Sequence, residues 1–184
     1  MRKSDILSVA LGIVVVLFFA LERSRAFYER IYLSLPLITT FLKFALLATG
    51  GEMLAARLRR GRYLPDRFGA VPKMVVWGVL GVAIYAAFAI FAVGVPMLFA
   101  PLIERSGGNG VLQAFLISLF LNVFFAPGMM LSHHVTDRYI ESHGGRFPIA
   151  PLRLRPALES IDWGRMWGVV LTKTIPFFWI PAHT

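Results

Sequence analysis

The string HHVTDRYIESH at 133–143 gathers most of the chain's imidazole and carboxylate chemistry. On a helix, His133 and Asp137 are i, i+4 neighbours and His134 and Asp137 are i, i+3 neighbours, so one carboxylate can orient either ring. Imidazole changes charge near neutral pH, which suits the pair to a hydrogen bond at a helix end or to proton- or ion-linked gating. A metal shell is not expected, because His143 follows on Gly144-Gly145 and no second HxxxD or ExxH pair occurs. The absence of Cys excludes a disulfide, a thiolate zinc site and a cysteine nucleophile. No Walker loop, GxSxG elbow, HExxH or Rossmann fingerprint is present, so no catalytic residue, no cofactor and no enzymatic activity are expected.

Two further polar features lie inside apolar surroundings. Ser118, Asn122, Ala126, Met129, His133 and Asp137 recur at helical spacing and share one face. Pro127 in that run deprives the Val123 carbonyl of its usual donor, which predicts a kink beside Asn122. Lys43 stands within another apolar stretch, on one face with Thr39, Thr40, Leu47 and Gly50. A lysine near the middle of a membrane span costs about 2.5–3.5 kcal/mol, so its face should point into a bundle. Glu52, nine residues on, is too far along the axis to pair with it. Lys43, Asn122, Pro127, His133 and Asp137 are therefore the candidate polar pathway or gate. The competing reading is that each simply joins neighbouring helices.

The elements that carry these residues must be membrane helices. Of 184 residues, 57% are hydrophobic and 16% charged, against about 45–50% and 25% in an average soluble domain. Mean hydropathy is +0.68. Spans are expected at 33–56, 74–100 and 110–132, each near the roughly 20 apolar residues that a bilayer requires. The shorter stretch 6–21 follows a basic start and lacks a clean cleavage site, so it reads as an uncleaved anchor helix. Gly78, Gly81, Tyr85, Ala89 and Ala92 form a stripe suited to close helix packing. Residues 139–161 read as a loop, with Ser106-Gly107-Gly108-Asn109-Gly110 a tight turn on the other side. Asp162 is placed to cap an amphipathic interfacial helix over 162–175. The fold class is thus an all-α, polytopic transmembrane helix bundle in a single membrane domain.

Charge assigns the sides. The segments 57–73 and 138–173 hold most of the 19 Lys and Arg, including Lys73 and Arg153, and Arg2 and Lys3 join them. Basic loops lie on the cytoplasmic face, which gives an N-terminus-in topology in a bacterial cytoplasmic membrane. The run RLRRGR could neutralise phosphates, but it is bracketed by membrane-length apolar segments, so no nucleic-acid partner is expected. Membrane lipids are the expected partners, and a homo-oligomer is compatible with the packing stripe.

Four stretches, in order, resemble the Mpv family of peroxisomal and mitochondrial inner-membrane proteins and their relatives. FALLATGGEMLAARL is similar to that family's opening helix, with Gly51 and Glu52 before a polar helix end and Glu where Asp is common. KMVVWGVLGVAIYAAFAIF resembles the second helix through Trp77 and Gly81, without a clear match to its usual aromatic pair. LNVFFAPGMM carries the Phe125-Ala126-Pro127 triplet, and IDWGRMWGVVLTKTIPFFWIP resembles the signature region through Trp163, Trp167, Phe178 and Pro181. The resemblance implies four membrane helices and channel-like passage of small solutes whose identity it does not specify. The alternative is a non-transporting scaffold or interaction protein. The family continues into a last helix where this chain reaches Thr184, so 176–184 reads as the start of a missing span, with Phe177, Phe178 and Trp179 at headgroup level.

Overall fold

A computed structural model describes residues 3–147, 154–159 and 161–184. The protein is 86% helical, with no strand among the described residues. Three helices are long and apolar enough to cross a membrane, or four if a bent N-terminal pair counts as one span. The chain divides into two compact units, Met1–Thr40 and Phe41–Thr184. Arg2 and Arg153 lie outside the described residues.

In the first unit, α1 (Lys3–Ala20) and α2 (Glu22–Ser34) meet at 81°. The sequence reading had only the first of these, starting at Ile6. The corner is held by Phe19 packed edge-on against Tyr28, which in turn stacks on Tyr32. Pro36 disfavours helical backbone at Leu35 (φ −137°, ψ 60°), which ends α2, and opens α3 (Pro36–Arg60).

In the second unit, α3 is followed by α4 (Ala70–Leu98), the short α5 (Ala100–Arg105) and α6 (Gly110–Ser142). The inward row of α3 is Ala45, Thr49, Glu52 and Ala56, at i+3 and i+4 steps. Lys43 lies about 200° around the helix from Ala45 and is half-buried, with its ammonium 5.6 Å from the Phe44 ring centroid. Leu47 and Gly50, on the face assigned to Lys43, are exposed. Thr39 and Thr40, at the start of that face, are buried, so it turns outward only beyond Lys43.

Gly78 and Gly81 of α4 meet α3 directly: a Cβ there would lie 2.4 Å from the Phe41 ring and 2.5 Å from Phe44 Cβ. The stripe does not run on as expected. Tyr85 is half-buried and Ala89 and Ala92 are exposed, while Ala87 and Val95 are buried in their place. Farther along, Val95, Ile103 and Leu116 make an apolar cluster at the end of the bundle remote from Arg60.

Helix α6 begins at Asn109, whose side chain accepts from the amides of Val111 and Leu112. It runs 33 residues, ten past the expected end, so the first four residues of the segment read as a loop, Tyr139–Ser142, are its last turn, while 148–153 and 160 of that segment lie outside the described residues. Pro127 does not break it. Residues Leu121–Phe125 widen into a π turn, and the Ala126 amide reaches back to the Leu121 carbonyl, which absorbs the proline's missing donor. After α7 (Leu154–Glu159), a helical run over 163–182, here α8, opens with the Asp162 carboxylate accepting from the Arg165 amide. Most of α8, Met166–Trp179, is wound with π-type bonds. Thr172 and Thr174 hydroxyls donate to carbonyls five residues back, in keeping with that winding. Met166 joins Val135, Ala157 and Ile161 in a second apolar cluster. The helix does not stop at 175; it rises to the level of Asn122, where Trp179 stacks on His183.

Candidate functional site

Where α3 ends, α4 begins and α6 ends, four long-range partners converge. The loop before α4 is held against the end of α6 by two glycines in left-handed backbone, Gly69 (φ 67°) and Gly145 (φ 77°). A Cβ on Gly69 would lie 2.4 Å from Ile140 Cγ2, and one on Gly145 would lie 2.9 Å from the Gly69 amide nitrogen. Only glycine permits both the backbone conformation and the approach. This contact sets the first turn of α4 beside the last turns of α6.

The residue that profits is Lys73. It sits one turn into α4, not in the basic loop to which its charge was assigned, and is 3% exposed. Its ammonium donates to Glu52 Oε2 at 2.6 Å and lies 2.8 Å from Asp137 Oδ2. The Phe68 ring covers it, with its centroid 5.0 Å away. Glu52 Oε1 accepts from the Trp77 indole N–H at 2.6 Å, and His133 Nε2 lies 3.2 Å from the same oxygen. His133 Nε2 is 3.7 Å from Asp137 Oδ2, so its nearer carboxylate is Glu52 rather than the i+4 neighbour. Trp77 packs on the imidazole with ring centroids 4.3 Å apart.

His133 Nε2 thus faces two carboxylates. Among the described residues, His133 Nδ1 and Asp137 Oδ1 are buried without a hydrogen-bond partner. Glu52, His133 and Asp137 have the residue types and separation to hold a cation. The Lys73 ammonium already lies between both carboxylates, however, and supplies the charge that a metal would bring.

The cluster forms one wall of a cavity of about 450 Å³. Arg59 and Arg60 of α3, Arg138 of α6 and Arg165 of α8 also line it, with His134, Glu141 and Asp162. Two regions of positive charge widely separated in sequence thus share one end of the bundle. Lys43, Asn122 and Pro127 do not line this cavity.

Ser118 and Asn122 instead belong to a second polar knot, about 16 Å farther along α6. Both are essentially fully buried. Ser118 Oγ donates to the Ile180 carbonyl at 2.7 Å, and Asn122 Nδ2 donates to the Ser118 carbonyl and lies 3.1 Å from His183 Nδ1. His183 is held between Phe88 and Trp179. The shared face read along α6 is inward, but it serves two separate places.

Of the positions carried by the family resemblance, Glu52 and Trp77 enter the cluster, and Gly81 and Ala126 are buried between helices. Gly51 lies in open space, whereas Trp163, Trp167, Phe178 and Pro181 are exposed on α8 and Phe125 is half-buried. Lys73 was missed as a site residue; its only sequence signal is its place immediately before an uncharged apolar run, with Trp77 one turn on. Compared with protein-family models, curated proteins and solved structures, the chain finds no match in any of the three.

Proposed function

We propose that this integral membrane protein takes a small polar solute into the cavity at its arginine-bearing end and passes it through the bundle. The observation that supports this reading is the buried Glu52–Lys73–Trp77–His133–Asp137 cluster on the wall of a 450 Å³ space. Burying four ionisable groups costs several kcal/mol per charge before pairing, and a set built only to join three helices could be replaced by apolar residues at no loss. Intramembrane ionisable groups facing a cavity are the usual mark of a solute or ion path. The Mpv-type resemblance points the same way, through Glu52 and Trp77.

A non-transporting scaffold is the second reading, and the Ser118–Asn122–His183 knot favours it. That knot closes the inward face of α6 with direct bonds, and the cavity stops short of it. Proteoliposomes separate the two. Passage predicts uptake of small polar solutes above that of empty vesicles and its loss in Asp137→Asn, while Phe177→Ala, on an exposed face of α8, keeps it. Uptake equal to that of empty vesicles across a panel of anionic, zwitterionic and neutral solutes leaves the scaffold.

A further inference from the structure

The cavity is graded in charge, and the gradient selects a chemistry. At its mouth are Arg59, Arg60, Arg138 and Arg165, all exposed, against Glu141 and Asp162. Arg138 lies 3.7 Å from Glu141, and the Asp162 carboxylate caps α8. Among the described residues, Arg60 and Arg165 have no carboxylate partner. Guanidinium groups with free donors around a concave mouth match phosphate oxygens in geometry and charge. The floor has the opposite need. Glu52 and Asp137 share the single ammonium of Lys73, and Asp137 Oδ1 is buried without a donor. A buried acceptor without a donor costs about 1–3 kcal/mol, which a donor-bearing ligand would recover. Asp137 lines the cavity, and its side chain retains 21% exposure.

We propose, on the reading that this cavity is a ligand site, that it binds a phosphate ester carrying a primary ammonium group. The phosphate sits at the arginine mouth and the ammonium is directed to Asp137 at the floor. The same chemistry occurs in a free aminoalkyl phosphate and in an aminophospholipid headgroup, and a cavity at the end of membrane-length helices is open to both sources.

Isothermal titration of the detergent-purified full chain tests it with O-phosphoethanolamine, glycerol 3-phosphate and ethanolamine. One charge-assisted hydrogen bond corresponds to roughly a tenfold preference for O-phosphoethanolamine over glycerol 3-phosphate, which has the phosphate but a neutral end. Ethanolamine, without phosphate, should not bind measurably. Arg165→Gln should weaken both phosphates by a similar factor, and Asp137→Asn should erase the preference between them. Equal affinity for the two phosphates in the unaltered protein, or no binding of either, overturns the proposal whether or not any variant folds. Nanodiscs identify the source: loss of the titration in phosphatidylethanolamine but not in phosphatidylcholine assigns the site to the headgroup, and retention in both assigns it to the free ester. Binding with the stated preference but without vesicle uptake sustains this inference and removes passage; uptake of other solutes without such binding does the reverse.

Discussion

At the scale of the residue, Lys73 has the largest consequence. Its ammonium bridges two half-buried carboxylates that approach from different helices. Lys73→Ala leaves both uncompensated and should cost about 3–5 kcal/mol, read as a lower midpoint in detergent unfolding. The double variant Lys73→Ala with Glu52→Gln should lose less than Lys73→Ala alone, because one of the stranded charges is gone. Midpoints that fall by the same amount in the two would show that Glu52 and Lys73 are not coupled. Trp77→Phe keeps the ring on His133 but removes the donor to Glu52, and a loss of about 1–3 kcal/mol is expected in the same assay.

Between elements, close approach of α3 and α4 depends on missing side chains. Gly81→Ala places a methyl 2.5 Å from Phe44 Cβ, the root of that side chain, which cannot swing aside. The strain should cost about 1–3 kcal/mol. Gly50→Ala, in open space on α3, should instead stabilise by up to about 1 kcal/mol through helix propensity alone. Thermal unfolding of the two variants in one detergent checks the contrast in sign.

For the whole molecule, the three spans of 25, 29 and 33 residues put the connection after α3 and the end of α6 at the same end of the bundle. The contact of Gly69 with Gly145 joins them there. Arg62 and Glu104, both exposed, are then on opposite sides of the membrane. Since the chain has no Cys, single Arg62→Cys and Glu104→Cys variants can be labelled cleanly with an impermeant maleimide in intact cells. Labelling of Glu104→Cys alone is expected if the basic loops face the cytoplasm. Labelling of Arg62→Cys alone would invert the orientation, and equal labelling of both would contradict a three-span arrangement.

The apolar runs, their lengths and the arginines that flank them determined the all-α membrane fold, because hydrocarbon forces every backbone amide to pair within its own segment. The inward face of α6 was equally legible as a row of polar residues at helical spacing. Tertiary structure alone decided what that face meets. Glu52 finds its partners 21, 25, 81 and 85 positions away, at Lys73, Trp77, His133 and, across the Lys73 ammonium, Asp137, whereas Lys43 on its own helix is only nine positions away. Lys73 resembled one more charge in a basic loop because the apolar run starts just after it. The helix starts a turn earlier, at Ala70, and the two-glycine contact carries that turn to Asp137. Helical periodicity reports which residues share a face, but the depth and azimuth of the opposing helix are set by packing between segments far apart in sequence.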